Sequence, residues 1–340
     1  MAHLFTPYAI GNLELKNRIV MAPMCQYSVT AKDGKPNEWH FTHYTSRAVG
    51  GAGLIIVEMT DVEPDGRITD YDLGLWSDDH IAPFERIVDA CHAHGAKIGI
   101  QIAHAGRKAE DAPVPVAPSP IRFDGPQYKT PRALSTDEVK QMVEKFAMAA
   151  RRAVKAGFDV IELHGAHGYL IHQFHSPLTN QRTDAYGEDL ALFGVEVIQA
   201  VKAELPSGMP LFVRISAVEY ADGGYDLDHA IEICRRYRDA GADVIHVSSG
   251  GEGHPGKRRP GNYPGFQVPF ARQIKAELQV PVIAVGMLDH PGLAESVIAS
   301  GDADLVAIAR GLLRDPYWPI HAAIALGEKP QVPVQYQRAF

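Results

Sequence analysis

The stretch from Phe158 to Arg182, FDVIELHGAHGYLIHQFHSPLTNQR, opens on the apolar run Val160-Ile161-Glu162-Leu163, which follows Gly157. Four such residues are too few for a helix, and a run behind a glycine reads as a buried strand. His164, His167 and Tyr169 come directly after it. Two imidazoles and a phenol at one strand end provide hydrogen-bond donors and a proton source, as acid/base chemistry on a small molecule requires.

Working outward, the same kind of run recurs at Ile19 to Met24, Leu54 to Val57, Ile98 to Ile102, Leu211 to Ile215, Val244 to Val247, Val280 to Val285 and Leu305 to Ile308, making eight strand candidates in all. Helical periodicity separates them. It is clearest from Ser135 to Ala156, where Ser135 and Glu138 form a capping box. There Val139, Met142, Val143, Phe146, Ala150 and Ala153 line one face, and Gly157 ends the helix. A weak repeat supports the alternation, because Gly157, Gly241 and Gly301 each precede a strand run. Eight short, doubly buried strands alternating with helices at this length favour closure into a (β/α)8 TIM barrel over an open doubly wound sheet. No strand is followed by the G-x-G-x-x-G turn that an open dinucleotide-binding sheet would need. A short hairpin is predicted around Gly11-Asn12, and the proline-rich segment 104–134 reads as a lid over the barrel mouth. The expected organisation is one barrel domain over 1–340 with a C-terminal tail at 328–340.

With 46% hydrophobic and 22% charged residues, a formal net charge of −8 and scattered basic residues, the chain reads as a globular enzyme with small-molecule partners. Neither nucleic acid nor membrane is an expected partner. The N-terminus lacks a basic and apolar leader, and a cytoplasmic location is expected. Cys25, Cys91 and Cys234 are far apart and odd in number, which disfavours a disulfide framework, a zinc site or an iron–sulfur cluster.

In a barrel, functional groups gather at the C-terminal strand ends. Strand one delivers Cys25 and Tyr27 there, strand three Gln101, His104 and Lys108, strand four His164, His167 and Tyr169, and strand five Arg214. Gly286 after strand seven and Arg310 after strand eight suit a phosphate, through bare backbone N–H groups and a guanidinium. Arg214 lies inside an apolar run, so it needs either an anionic ligand or a buried salt bridge to Glu162. His164, His167, His172 and His175 are close enough to suggest a metal, yet no companion carboxylate cluster is evident, and no metal is expected.

The motifs A-P-M-C-Q-Y (Ala22–Tyr27), G-R-I-T-D (Gly66–Asp70), Q-I-A-H-A-G-R-K (Gln101–Lys108), H-G-A-H-G-Y-L-I-H-Q-F (His164–Phe174) and A-R-G-L-L-R-D-P (Ala309–Pro316) resemble the old yellow enzyme family of flavin-dependent ene-reductases. Within it, they resemble the thermophilic-like bacterial class. The resemblance spans nearly the whole chain. It implies a barrel carrying non-covalent FMN, with NADPH as reductant and an activated alkene, an α,β-unsaturated carbonyl or nitro compound, as substrate. Carried over by position, it implies flavin contacts from Pro23, Met24, Cys25, Met59, Gln101 and Arg214, with Gly286, Ala309 and Arg310 at the phosphate. His164 and His167 would hold the substrate oxygen, Tyr169 would protonate the α-carbon, and Tyr27 would help bind substrate. It further implies a homodimer or homotetramer in which Arg338 reaches the neighbouring subunit's site.

Two departures from the family pattern stand out. Met59 occupies a position usually held by a small residue, so either its side chain turns from the flavin or the pocket is reshaped. The loop at 187–190 is shortened. A phosphosugar aldolase or isomerase would need a reactive lysine or carboxylate at a strand end, and a non-catalytic barrel would purify colourless.

Overall fold

The computed structural model describes all 340 residues. Its barrel strands are β1 (Ile19–Met21), β2 (Leu54–Asp61), β3 (Lys97–Ala103), β4 (Val160–Gly165), β5 (Leu211–Ser216), β6 (Val244–Ser248), β7 (Val282–Val285) and β8 (Leu305–Ile308). All neighbouring pairs are parallel, and β8 pairs with β1, which pairs with β2, so the sheet closes. The helices that return the chain are α1 (Glu38–Val49), α2 (Ile81–Ala93), α3 (Thr136–Lys155), α4 (Leu192–Glu204), α5 (Leu227–Ala240), α6 (Val268–Leu278), α7 (Pro291–Ala299) and α8 (Trp318–Ala325). This is the TIM barrel expected from the alternation of runs. The strand β2 extends four residues beyond the apolar run that announced it, passing a register shift against β3 between Val57 and Thr60. A two-residue strand, Leu73–Gly74, pairs with its far end.

Helix α3 shows why the local sequence suffices. Ser135 and Glu138 form the reciprocal cap, Val139, Met142, Phe146, Ala150 and Ala153 are buried, and Gly157 leaves the helix at φ +85°.

The pleat sorts the barrel interior into two zones. Val20, Leu54, Ile56, Val160, Phe212, Val244, Ile283, Leu305 and Ala307 pack with one another at the N-terminal strand ends. The predicted hairpin, Tyr8–Ile10 against Leu13–Leu15, adds Ile10, Leu13 and Leu15 to that cluster and so plugs the floor. Further along β2 to β6 the inward positions turn polar, with Glu58, Gln101, Glu162, Arg214 and His246, then His164, Ser216 and Ser248, all buried, while β1, β7 and β8 stay apolar at Ala22, Val285 and Ala307. Apolar floor and polar upper layer together confine the chemistry to the C-terminal mouth.

In the segment expected to form a lid, a short parallel pair, Val116–Ala117 with Arg132–Ala133, organises the outer part. Its root is buried: His104 pairs with Glu63 at 2.8 Å, and Arg107 pairs with Glu252 at 2.7 Å. No helix is long and apolar enough to cross a membrane.

Candidate active site

Arg214 is set by β5 beside His164 of β4 and His246 of β6, register partners on either side. Its guanidinium is buried, its Nε has no hydrogen-bond partner, and it makes no ion pair. The salt bridge to Glu162 left open by the sequence does not form. Glu162 instead accepts from Gln101 Nε2 at 2.8 Å and is hydrogen-bonded to His246 Nδ1 at 2.8 Å. An uncompensated buried cation is costly, and burial already lowers the Arg214 pKa. It faces a cavity of about 280 Å³ that it lines together with Ser248, Gln267, Gly286, Ala309 and Arg310. Gly286 has φ +129°, and a Cβ there would lie 2.9 Å from Gln267 Nε2. Only glycine leaves that wall of the cavity open.

His164, His167 and Tyr169 converge at the end of β4. The His164 ring lies 5.1 Å from His167 and 4.9 Å from Tyr169, centroid to centroid. His164 Nδ1 accepts the Ala166 backbone N–H at 3.3 Å, which places the ring proton on Nε2. His167 Nε2 meets the Ser248 hydroxyl at 2.8 Å. Burial, reinforced by Arg214, holds both imidazoles well below their usual pKa, so they are neutral. Burial raises Tyr169 well above the usual phenol range, and its hydroxyl has no acceptor within the protein. The group thus offers neutral N–H donors and a protonated phenol.

Cys25 and Tyr169 rest on a small cluster formed by Met59, Ile68, Ala103, Ala105, Ala109 and Ala112. The Met59 side chain is therefore packed into the wall behind Cys25 and Tyr169, 2% exposed, and the register shift in β2 is where it sits. Pro23 is buried, Met24 is half-buried, and Tyr27 is exposed at the mouth in a left-handed conformation, φ +49°. Burial pushes the Cys25 thiol up, with help from Asp72, Glu58 and Asp61.

Those carboxylates were not singled out by the sequence. Glu58 accepts from the Tyr44 hydroxyl at 2.6 Å and from the Gln26 backbone at 2.9 Å, and burial raises it to about 8. Asp61 is buried with neither oxygen bonded.

A second polar cluster underlies the turn that carries His167 and Tyr169. His172 bonds Glu219 at 3.0 Å, and Glu252 lies 3.8 Å from its other nitrogen. The histidines therefore do have carboxylate companions, contrary to expectation, because the loops after β5 and β6 bring in residues remote in sequence. As a metal site the trio is compromised: His172 Nδ1 accepts from Gly168 N–H, Nε2 serves Glu219, and Glu252 is paired with Arg107. His175 is likewise buried, bonded to Tyr237. Lys108, lowered by burial to about 8, donates to the carbonyls of His167 at 2.7 Å and of Gly251.

Arg338 lies on an exposed terminal turn, Val334–Ala339, and lines none of these cavities. Tyr336 packs on Tyr317, ring centroids 6.3 Å apart, while Phe340 is 53% exposed. The short 187–190 region continues a single helical turn, Ala185–Glu188.

The family profile described as NADH:flavin oxidoreductase / NADH oxidase matches residues 3–328. The chain is 49% identical to the NADPH dehydrogenase of Halalkalibacterium halodurans, covering 99% of this chain and 98% of that protein. It is 48% identical to the NADPH dehydrogenase of Bacillus subtilis, covering 99% of each. Among solved structures it is similar to morphinone reductase in complex with tetrahydroNAD, with a TM-score of 0.82 and 32% identity over 97% of this chain and 92% of that one. It also matches a 2-naphthoyl-CoA reductase, with a TM-score of 0.87 and 25% identity, spanning 52% of that longer chain.

Proposed function

The chain belongs to the NADH:flavin oxidoreductase / NADH oxidase family, and on that premise we propose that it is an NADPH-driven, FMN-dependent ene-reductase acting on α,β-unsaturated carbonyl or nitro compounds. The observation that carries this reading is the meeting of two neutral imidazoles and a protonated, unengaged Tyr169 beside the uncompensated Arg214.

The residues present fit FMN. Arg310 and the bare turn at Gly286 and Ala309 would hold the phosphate, while Arg214 and Gln101 would face the pyrimidine edge, where Arg214 gains the negative partner it lacks. Pro23, Met24, Cys25 and Met59 would form the opposite wall. FMN bound there and reduced by NADPH would supply the hydride that the alkene accepts at its β-carbon.

The protein's own groups then act on the alkene. His164, through Nε2–H, and His167 bind the carbonyl or nitro oxygen and stabilise the charge that develops there. Because both are neutral, they donate without giving up a proton. Tyr169 transfers its proton to the α-carbon, and Tyr27 closes the substrate side. The exposed Arg338, with Tyr336 and Phe340 beside it, suits a tail donated to a neighbouring subunit in a homodimer or homotetramer, and the enzyme is cytoplasmic.

The test has two parts. Flavin released by denaturation should chromatograph as FMN; recovery of FAD would overturn the cofactor assignment. Under anaerobic conditions NADPH should bleach the bound flavin, and an enone or nitroalkene should restore its colour. Bleaching without reoxidation by any activated alkene would sink the substrate reading while leaving the reductant.

A further inference from the structure

Most lysines and arginines in the loops around the mouth are already committed. Lys32 and Arg67 share Asp70, Arg107 pairs with Glu252 and Arg182 with Asp184, and Arg122 and Lys129 donate to backbone carbonyls. Arg214 and Arg310 line the cavity assigned to FMN. Lys257, Arg258 and Arg259 remain. They are consecutive, exposed, and make neither an ion pair nor a side-chain hydrogen bond, in a chain whose net charge is −8.

Their loop is anchored to the catalytic turn. Gly251 packs so tightly on His167 that a Cβ would lie 2.4 Å from its Cα, and Lys108 bonds the carbonyls of both residues. Five residues on, Gly256 N–H donates to the Tyr220 carbonyl at 3.0 Å, and Lys257 N–H donates to Asp222 Oδ1 at 3.0 Å. Asp222 thus holds the loop through its backbone. The three cations stand at the outer rim, where Lys257 and Arg258 share a cavity of about 290 Å³ with Asp222 and Asp226. Two carboxylates against three cations leave the group net positive, with acceptors suited to ribose hydroxyls.

Resting on the reading of the site as NADPH-reduced, we infer that Lys257, Arg258 and Arg259 bind the 2′-phosphate of NADPH and set its preference over NADH. The two nucleotides are identical at the reacting ring and the pyrophosphate and differ only in a phosphate at the adenosine end. A nicotinamide beside His164 and His167 sends that end outward over the rim. The barrel has no glycine-rich dinucleotide turn, so discrimination must come from a mouth loop, and paired guanidinium forks match a phosphate dianion. The cations lie on the rim that the β4 and β6 turns share, as this requires.

The test compares the FMN-loaded enzyme with a variant carrying Lys257→Ala, Arg258→Ala and Arg259→Ala, changes confined to an exposed loop. In stopped-flow reduction of the flavin, the variant should bind NADPH roughly ten- to hundredfold more weakly. Its limiting rate, and its affinity for NADH, should not change. By calorimetry, adenosine 2′,5′-bisphosphate should bind the parent and be lost from the variant. Equal weakening of NADPH and NADH would move the contact to their shared pyrophosphate and overturn the inference, as would an unchanged preference. A parent flavin that neither nucleotide reduces overturns the reductase reading and this inference together, whereas a parent reduced by NADPH with an indifferent variant overturns the inference alone.

Discussion

His172 Nδ1 accepts the backbone N–H of Gly168 at 2.9 Å, so a histidine outside the reacting group fixes the turn that aims His167 and Tyr169. That turn needs fixing, since His167 and Gly168 are both left-handed, at φ +60° and +74°. Replacing His172 by Phe leaves Gly168 N–H without its acceptor and Glu219 Oε1 without its partner, while Oε2 keeps the Tyr225 N–H, at a cost of about 2–4 kcal/mol. The melting temperature should fall, and alkene turnover should fall further than flavin reduction. Unchanged turnover in protein that still binds FMN would separate the turn from this contact.

Tyr169→Phe removes the phenolic proton while keeping the ring that packs against the Met59 cluster. Flavin reduction by NADPH should proceed normally. Alkene turnover should drop roughly a hundred- to ten-thousandfold, the usual share of general acid catalysis. Equal slowing of both half-reactions in stopped-flow would contradict the assignment.

Arg214→Met separates a ligand-binding cation from a structural one. Because the guanidinium has no ion pair in the protein, the FMN-free variant should melt at or above the parent's temperature. FMN should bind roughly ten- to hundredfold more weakly, measured by fluorescence titration of the free flavin. A lower melting point with unchanged FMN affinity would make Arg214 structural.

Asp61→Asn tests the pH dependence of stability. Burial, then the Asp72 carboxylate, holds Asp61 well above the usual carboxylate range. The native state therefore keeps a proton that the unfolded chain loses near pH 4. Stability should fall as pH rises above that point, by at most about 1.4 kcal/mol per pH unit, until the native group itself ionises. Glu58, raised to about 8, and Asp72, raised to about 6, act in the same direction. Asparagine abolishes the contribution of Asp61, so denaturant titrations at pH 5 and pH 7 should differ less for the variant than for the parent. Identical differences would show that Asp61 is ionised in the fold.

Mixing chains carrying Tyr169→Phe with chains truncated before Gln337 tests the tail. If Arg338 completes a neighbour's site, subunit exchange creates sites with an intact Tyr169 and a donated Arg338, and activity should exceed the sum of the two parents. No gain after exchange would confine Arg338 to its own chain.

The barrel was legible because doubly buried strands leave unbroken runs such as Val244 to Val247, and because Ser135, Glu138 and Gly157 mark a helix at both ends. The convergence of His164, His167 and Tyr169 was legible because the three are near neighbours in the chain. What escaped was polar and non-local. The second half of β2, carrying Glu58 and Asp61, lies beyond the point where the apolar pattern stops, and a register shift lets it continue as strand. Glu219 and Glu252 are single acidic residues in loops, with no local pattern to mark them. Only closure of the barrel brings them to His172 and Arg107, and only closure decides that Glu162 turns to Gln101 and His246 instead of Arg214.

The buried root at His104, Arg107 and Lys108 bears on traffic through the mouth. Opening it as a flap would expose an Arg107–Glu252 pair and strip Lys108 from two carbonyls, a penalty incurred twice per cycle if reductant and alkene each needed the gate. If the site works as proposed, the root would stay shut, and reductant and alkene would exchange by diffusion past a fixed frame. On the proposed reading, substrate range would depend on the width of that frame, and engineering for bulkier alkenes should spare residues 121–123, since the Ile121 carbonyl accepts from Arg107 and Phe123 packs on Arg107 and Lys108.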